Sequence, residues 1–236
     1  MLFSELHKIT LQGDEDWFDP ILTKDTCLFI DPFSVFKSSD TLFEDSYSEM
    51  MYFFQQTFEL IAHAGGNMSN LSYKKAESML LFPEVNALCL GYSKTRRGSG
   101  SGPEWAKILA SNINSIIAQG ITNITHFEEL GIFCEGIGPD RLSDMTANLL
   151  KSRLITYTQR ICHKYNISMT KKRLQNSAFD YQFMCWNSNE FLLPTNPYKS
   201  NSPILLVPKD FLNLLPETPL YNFLKNKITH KTLSHV

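Results

Sequence analysis

"RLSDMTANLLKSRLITYTQRICHKY", residues 141–165, carries the longest helical pattern in the chain, and its reading sets the fold class. Leu142, Met145, Leu149, Leu150, Leu154 and Ile161 recur mainly at spacings of three, four and seven, so they mark one apolar side of a helix. Just before it lies "GIFCEGIGPD" (131–140), a strand-like run ending in two glycines, a proline and an acid. Gly136 and Gly138 suit a tight approach into the helix, and Asp140 suits its N-cap.

Working outward, apolar periodicity predicts helices over 44–64 (stopped by Gly65-Gly66), 72–81, 123–130, and 103–120 with Pro103 in its first turn. Short apolar runs predict buried strands at "TCLFIDPF" (26–33), "NALCLGYS" (86–93), "FDYQFMCW" (179–186) and "PILLVPK" (203–209). Residues 2–11 read as a strand or a short helix, and 210–228 keep some apolar periodicity, as if the chain were short relative to its relatives. Strands and helices alternate without repeats or a linker. This predicts one α/β domain over 1–236 with a central sheet flanked by helices, a mixed α+β arrangement being the variant.

The chain has 236 residues, 43% hydrophobic and 19% charged, which describes a folded protein and excludes a disordered one. Its 17 Phe and 9 Tyr fit an aromatic core more readily than a partner surface. No run of 18 apolar residues exists, and the start lacks the layout of a signal peptide, so no membrane partner is expected. Five scattered cysteines with no C-x-x-C pair argue against a disulfide framework or structural zinc and point to the cytoplasm. The net charge of −2 is unevenly spread: residues 1–60 hold 12 acids and 3 bases, the remainder 12 acids and 19 bases. An acidic segment facing a basic body can hold a metal near a phosphate, and it can equally dock two halves of one fold.

Two stretches carry candidate chemistry. In "SKTRRGSGSGPEWAK" (93–107), Gly98, Gly100 and Gly102 let several backbone N–H groups converge ahead of a helix start, and Arg96 and Arg97 add charge. That suits a phosphate or a nucleic-acid backbone, although neither a Walker loop nor a dinucleotide fingerprint is present, and a plain surface loop is the alternative. In "GIGPDRLSDMTANLL" (136–150), Asp140, Asp144 and Asn148 share a helical face with Arg141 alongside. A cap needs only Asp140. The surplus predicts either an Arg141–Asp144 ion pair locking the helix, or a site in which Asp140 and Asp144, with Asp31 from the end of an apolar strand, bind Mg²⁺. The six histidines have no ligand spacing, and no acyl-transfer signature is present.

The combination of "LFIDPF", "FPEVNALCLGYSK" with its glycine loop, "GIGPDRLSDMTANLL" and "PILLVPK" resembles a group of bacterial hypothetical proteins. The resemblance implies a setting near mobile elements and phage-defence genes, and no reaction. More loosely, the acids of "GPDRLSD" with Lys209 resemble PD-(D/E)xK nucleases, where acids hold a divalent metal and a lysine assists attack. Val207 stands where that pattern has an acid. The expectation is a metal-dependent nuclease or related phosphodiester hydrolase of a defence system, with Asp140, Asp144, Arg141 and Lys209 as its catalytic residues. The alternatives are a non-enzymatic subunit of a larger defence complex and a nucleotide-binding sensor.

Overall fold

The computed structural model describes residues 1–91, 102–134 and 136–214. In chain order the elements are α1 (Phe3–Leu6), β1 (Leu28–Ile30), α2 (Pro32–Phe36), α3 (Ser46–His63), α4 (Leu71–Met79), α5 (Pro103–Ala118), α6 (Leu130–Phe133), α7 (Pro139–Leu149), α8 (Lys151–Lys164), β2 (Thr170–Asp180), β3 (Cys185–Leu193), β4 (Thr195–Asn196), β5 (Ser202–Pro203) and β6 (Leu212–Leu214). Helices and strands are mixed, as the alternation in the sequence implies. The strands form three separate two-stranded antiparallel sheets, β1–β6, β2–β3 and β4–β5, in place of one central sheet.

The core is built from aromatic side chains. Phe3, Phe43, Phe53, Phe54, Phe58, Phe82, Phe127 and Phe211 are buried together with Trp17, Tyr73 and Tyr157. Phe53 is the hub: it meets Phe54, Phe82, Phe179 and Trp186 with ring centroids 4.7 to 5.9 Å apart, all four tilted or edge-on as ring quadrupoles favour, and thereby joins α3 to the β2–β3 hairpin. Burying rings of this size is the main driving force for the fold.

Five stretches differ from expectation. Residues 141–165 form two helices, broken at Leu150, whose φ of −87° and ψ of −2° end α7 before Lys151 opens α8. "NALCLGYS" holds a 3-10 turn at Asn86–Leu88 and then Cys89 in the left-handed region at φ +55°, so its described residues, 86–91, form the bridge Thr26–Leu90 in place of a strand ladder. Apolar content cannot separate a buried strand from a buried turn. "GIFCEGIG" begins as α6, and "FDYQFMCW" spans the hairpin turn, with β2 starting back at the basic Thr170–Arg173. "PILLVPK" is extended and buried, but its N–H groups bond to scattered acceptors: Pro194 O, Ala87 O and the Thr158 hydroxyl.

A hydrogen bond ties α7 to the β1–β6 pair. Strand β1 pairs with β6 in the register Leu28 to Leu214, and the Ile30 N–H donates to Ser143 Oγ at 2.9 Å. The sheet edge is thereby tied to the polar face of α7.

Candidate functional site

Helix α7 begins at Gly138, whose ψ of −178° turns the chain into Pro139 at the first helical position. Asp140 is therefore in the first turn and makes no cap hydrogen bond, contrary to the expected cap. Its charge still favours the helix N-terminus. From there Asp140, Ser143, Asp144 and Ala147 line one wall of a crevice, and Leu28, Glu84, Val85, Leu88, Leu90 and Gly91 line the other. The enclosed volume is about 20 Å³, enough for one water or a small ion.

The crevice is acidic. Asp144 is half-buried and accepts no hydrogen bond from any described group through its carboxylate. Burial, reinforced by Asp140 and Glu84, pushes its carboxyl up to about 7. Glu84 is raised too, first by burial and then by Asp25 and Asp140. Neutralising partners are few: Asp25 is held by Lys199 at 2.5 Å, and the buried Lys151 is pushed down to about 8 by burial while Asp144 opposes the shift.

Arg141 does not form the expected ion pair with Asp144. Its guanidinium lies over the Trp105 ring, 3.3 Å from the centroid, beside Gly136. A cation on an indole face is a stable arrangement that leaves the fork of N–H donors unused. Among the described residues Arg141 makes no ion pair, and burial lowers its proton affinity.

Asn148 belongs to the fold. It is 1% exposed, and its Nδ2 donates to Pro83 O (2.7 Å) and Asp144 O (2.8 Å) while its Oδ1 accepts from Lys151 Nζ (2.7 Å). The polar row on α7 is thus divided, with Asp140 and Asp144 facing the crevice and Asn148 locking its wall.

The remaining sequence candidates lie elsewhere. Asp31 caps α2: its carboxylate accepts from Phe33 N (3.0 Å), Ser34 Oγ (3.1 Å) and Asn213 Nδ2 (2.7 Å), and it is not in the crevice wall. Lys209 sits exposed in a 3-10 turn with its N–H on Asp16 O, and its ammonium acts on Glu15. Gly102 is the N-cap of α5, with extended backbone. Arg96, Arg97, Gly98 and Gly100 lie outside the described residues. The basic glycine segment nonetheless departs from Gly91 in the crevice wall and rejoins at Gly102, three residues before Trp105.

Glu84 was missed by sequence reading, because one acid in "LFPEVN" has no neighbouring acid or helical row to mark it. Among the described residues no three acidic, histidine or cysteine side chains form a ready-made metal cage, and no helix is long and apolar enough to cross a membrane.

The chain belongs to the family described as Domain of unknown function (DUF8370), whose model matches residues 8–219. No curated protein and no solved structure matches it.

Proposed function

We propose that the crevice is a Mg²⁺-assisted phosphate site and that the chain is a phosphodiester hydrolase of the nuclease class, acting in a bacterial defence setting. One observation carries this reading: Asp144, whose carboxylate meets no hydrogen-bond donor among the described residues, is held beside Asp140 and Glu84 at a space the size of a water molecule. Carboxylates gathered in this way repel one another, and a divalent cation relieves that repulsion.

The donor set fits Mg²⁺, which takes hard oxygen ligands and uses one or two carboxylates plus waters and substrate phosphate, with no full protein cage. Asp140 and Asp144 would hold it, with Glu84 across the crevice; when bound, it would lower the proton affinity of water and screen phosphate charge. Asp144, with its affinity for a proton near neutrality, suits taking one from an attacking water. Arg141, over the Trp105 ring and without an ion pair among the described residues, suits the non-bridging phosphate oxygens.

The test is incubation of the chain with Mn²⁺ or Mg²⁺ and single-stranded DNA, duplex DNA or RNA, beside Asp144→Ala. Cleavage is expected in the wild type and its loss in the variant. Cleavage that survives the substitution removes Asp144 from the reaction.

A second reading, a non-enzymatic subunit of a defence complex, draws on Tyr52 and Phe183, 46% and 64% exposed. They flank Tyr181 at the β2–β3 turn, Tyr52 with its ring 5.4 Å away. Absence of cleavage on every nucleic acid would favour it.

A further inference from the structure

We propose that Asn148 and Lys151 are positioning residues, which hold Glu84 opposite Asp144 and so set the geometry of the crevice. The inference rests on the reading of the crevice as a cation site.

Glu84 stands at the end of an irregular segment, residues 80–85, that belongs to no helix or ladder. Two carbonyls of this strap, and that of Met79 at the end of α4 just before it, are held by side chains from three different elements. Trp186 Nε1 donates to Met79 O at 2.7 Å, Asn176 Nδ2 to Leu81 O at 3.0 Å, and Asn148 Nδ2 to Pro83 O at 2.7 Å. The last is adjacent to Glu84. The same Nδ2 also reaches Asp144 O, so one amide fixes the strap carrying Glu84 against the turn carrying Asp144.

Lys151 decides which way that amide faces. An ammonium only donates, so Asn148 must present Oδ1 to it and Nδ2 to the two carbonyls. Lys151 is itself held on its other side by Gln175 O at 3.1 Å. That carbonyl lies where the β2–β3 register breaks between Leu174 and Ala178, a bulge that leaves backbone groups outside the ladder.

Lys151 is 3% exposed, and its ammonium donates to neutral acceptors while Asp144 attracts it from nearby. Replacing both members at once strands neither of them, but it takes the donors from the Pro83 and Gln175 carbonyls, so some stability is lost with the geometry. Losing a residue that orients metal-binding groups usually weakens metal affinity ~10- to 100-fold.

The test is the double variant Asn148→Leu/Lys151→Met in the full chain, measured by urea unfolding, Mn²⁺ titration and amide hydrogen exchange. The expected result is a folded variant with a lowered urea midpoint, Mn²⁺ affinity down at least ~10-fold, and exchange that quickens at Glu84 and Val85 more than in the rest of the chain. A variant that fails to fold overturns the inference, since the pair is then a structural lock. So does a folded variant with wild-type Mn²⁺ affinity. If the wild type binds no Mn²⁺, the cation reading falls and exchange alone decides: unchanged rates at Glu84 and Val85 overturn the positioning role, and faster rates in a folded variant support it.

Discussion

Asp144→Asn is the substitution whose outcome follows most directly from the crevice. The carboxyl of Asp144 is raised from its ordinary 3.8 to about 7, with burial as the first cause and Asp140 and Glu84 as the next. The folded state therefore binds this proton more tightly than the unfolded chain does. The associated stability is fully present below about pH 4 and is lost as pH rises through about 7. At ~1.4 kcal/mol per pKa unit, the shift corresponds to a ceiling of about 4 kcal/mol by pH 8. Asn is neutral at every pH and escapes that loss. The buried Lys151 works against the gain, because its ammonium, pushed down to about 8, loses the attraction of Asp144. The expected net gain at pH 8 is roughly 1 to 3 kcal/mol, or about 2 to 10 °C in Tm for a chain of this size, shrinking to near zero at pH 4. Thermal and urea unfolding of both proteins at five pH values from 4 to 8 reads this directly. A stability gap that does not vary with pH, or a variant less stable at pH 8, refutes the reasoning.

Two further outcomes separate site from scaffold. Asp31→Ala removes the α2 cap and the bond to Asn213, so it should cost about 1 to 2 kcal/mol in urea unfolding while leaving Mn²⁺ affinity within about twofold. Phe54→Ala empties a fully buried position between Phe53, at 5.2 Å, and Phe127, at 5.4 Å, and should destabilise by about 3 to 5 kcal/mol, read as a fall of roughly 10 °C in Tm.

The periodic segments were legible because burying one side of a helix writes itself into spacing. Helices α3, α4 and α5 lie within two residues of their expected bounds, up to a turn at the C-terminal ends. The short apolar runs were harder to read. A buried 3-10 turn at Asn86–Leu88 and a buried extended stretch at 204–207 demand the same residues as a strand, and only the location of hydrogen-bond partners tells them apart.

The site divides along the same line. Sequence by itself determined that Asp140 and Asp144 share a face, since positions four apart on a helix must. Tertiary structure decided what that face meets. It brought Glu84 from 60 residues upstream, laid Arg141 on Trp105 instead of pairing it with Asp144, and engaged Asp31 in a cap. It also turned Asn148 inward to hold the strap that carries Glu84. The periodicity of one helix is a local property of the backbone. Which carboxylates are brought close together depends on chain segments far apart in sequence, and no local pattern encodes that.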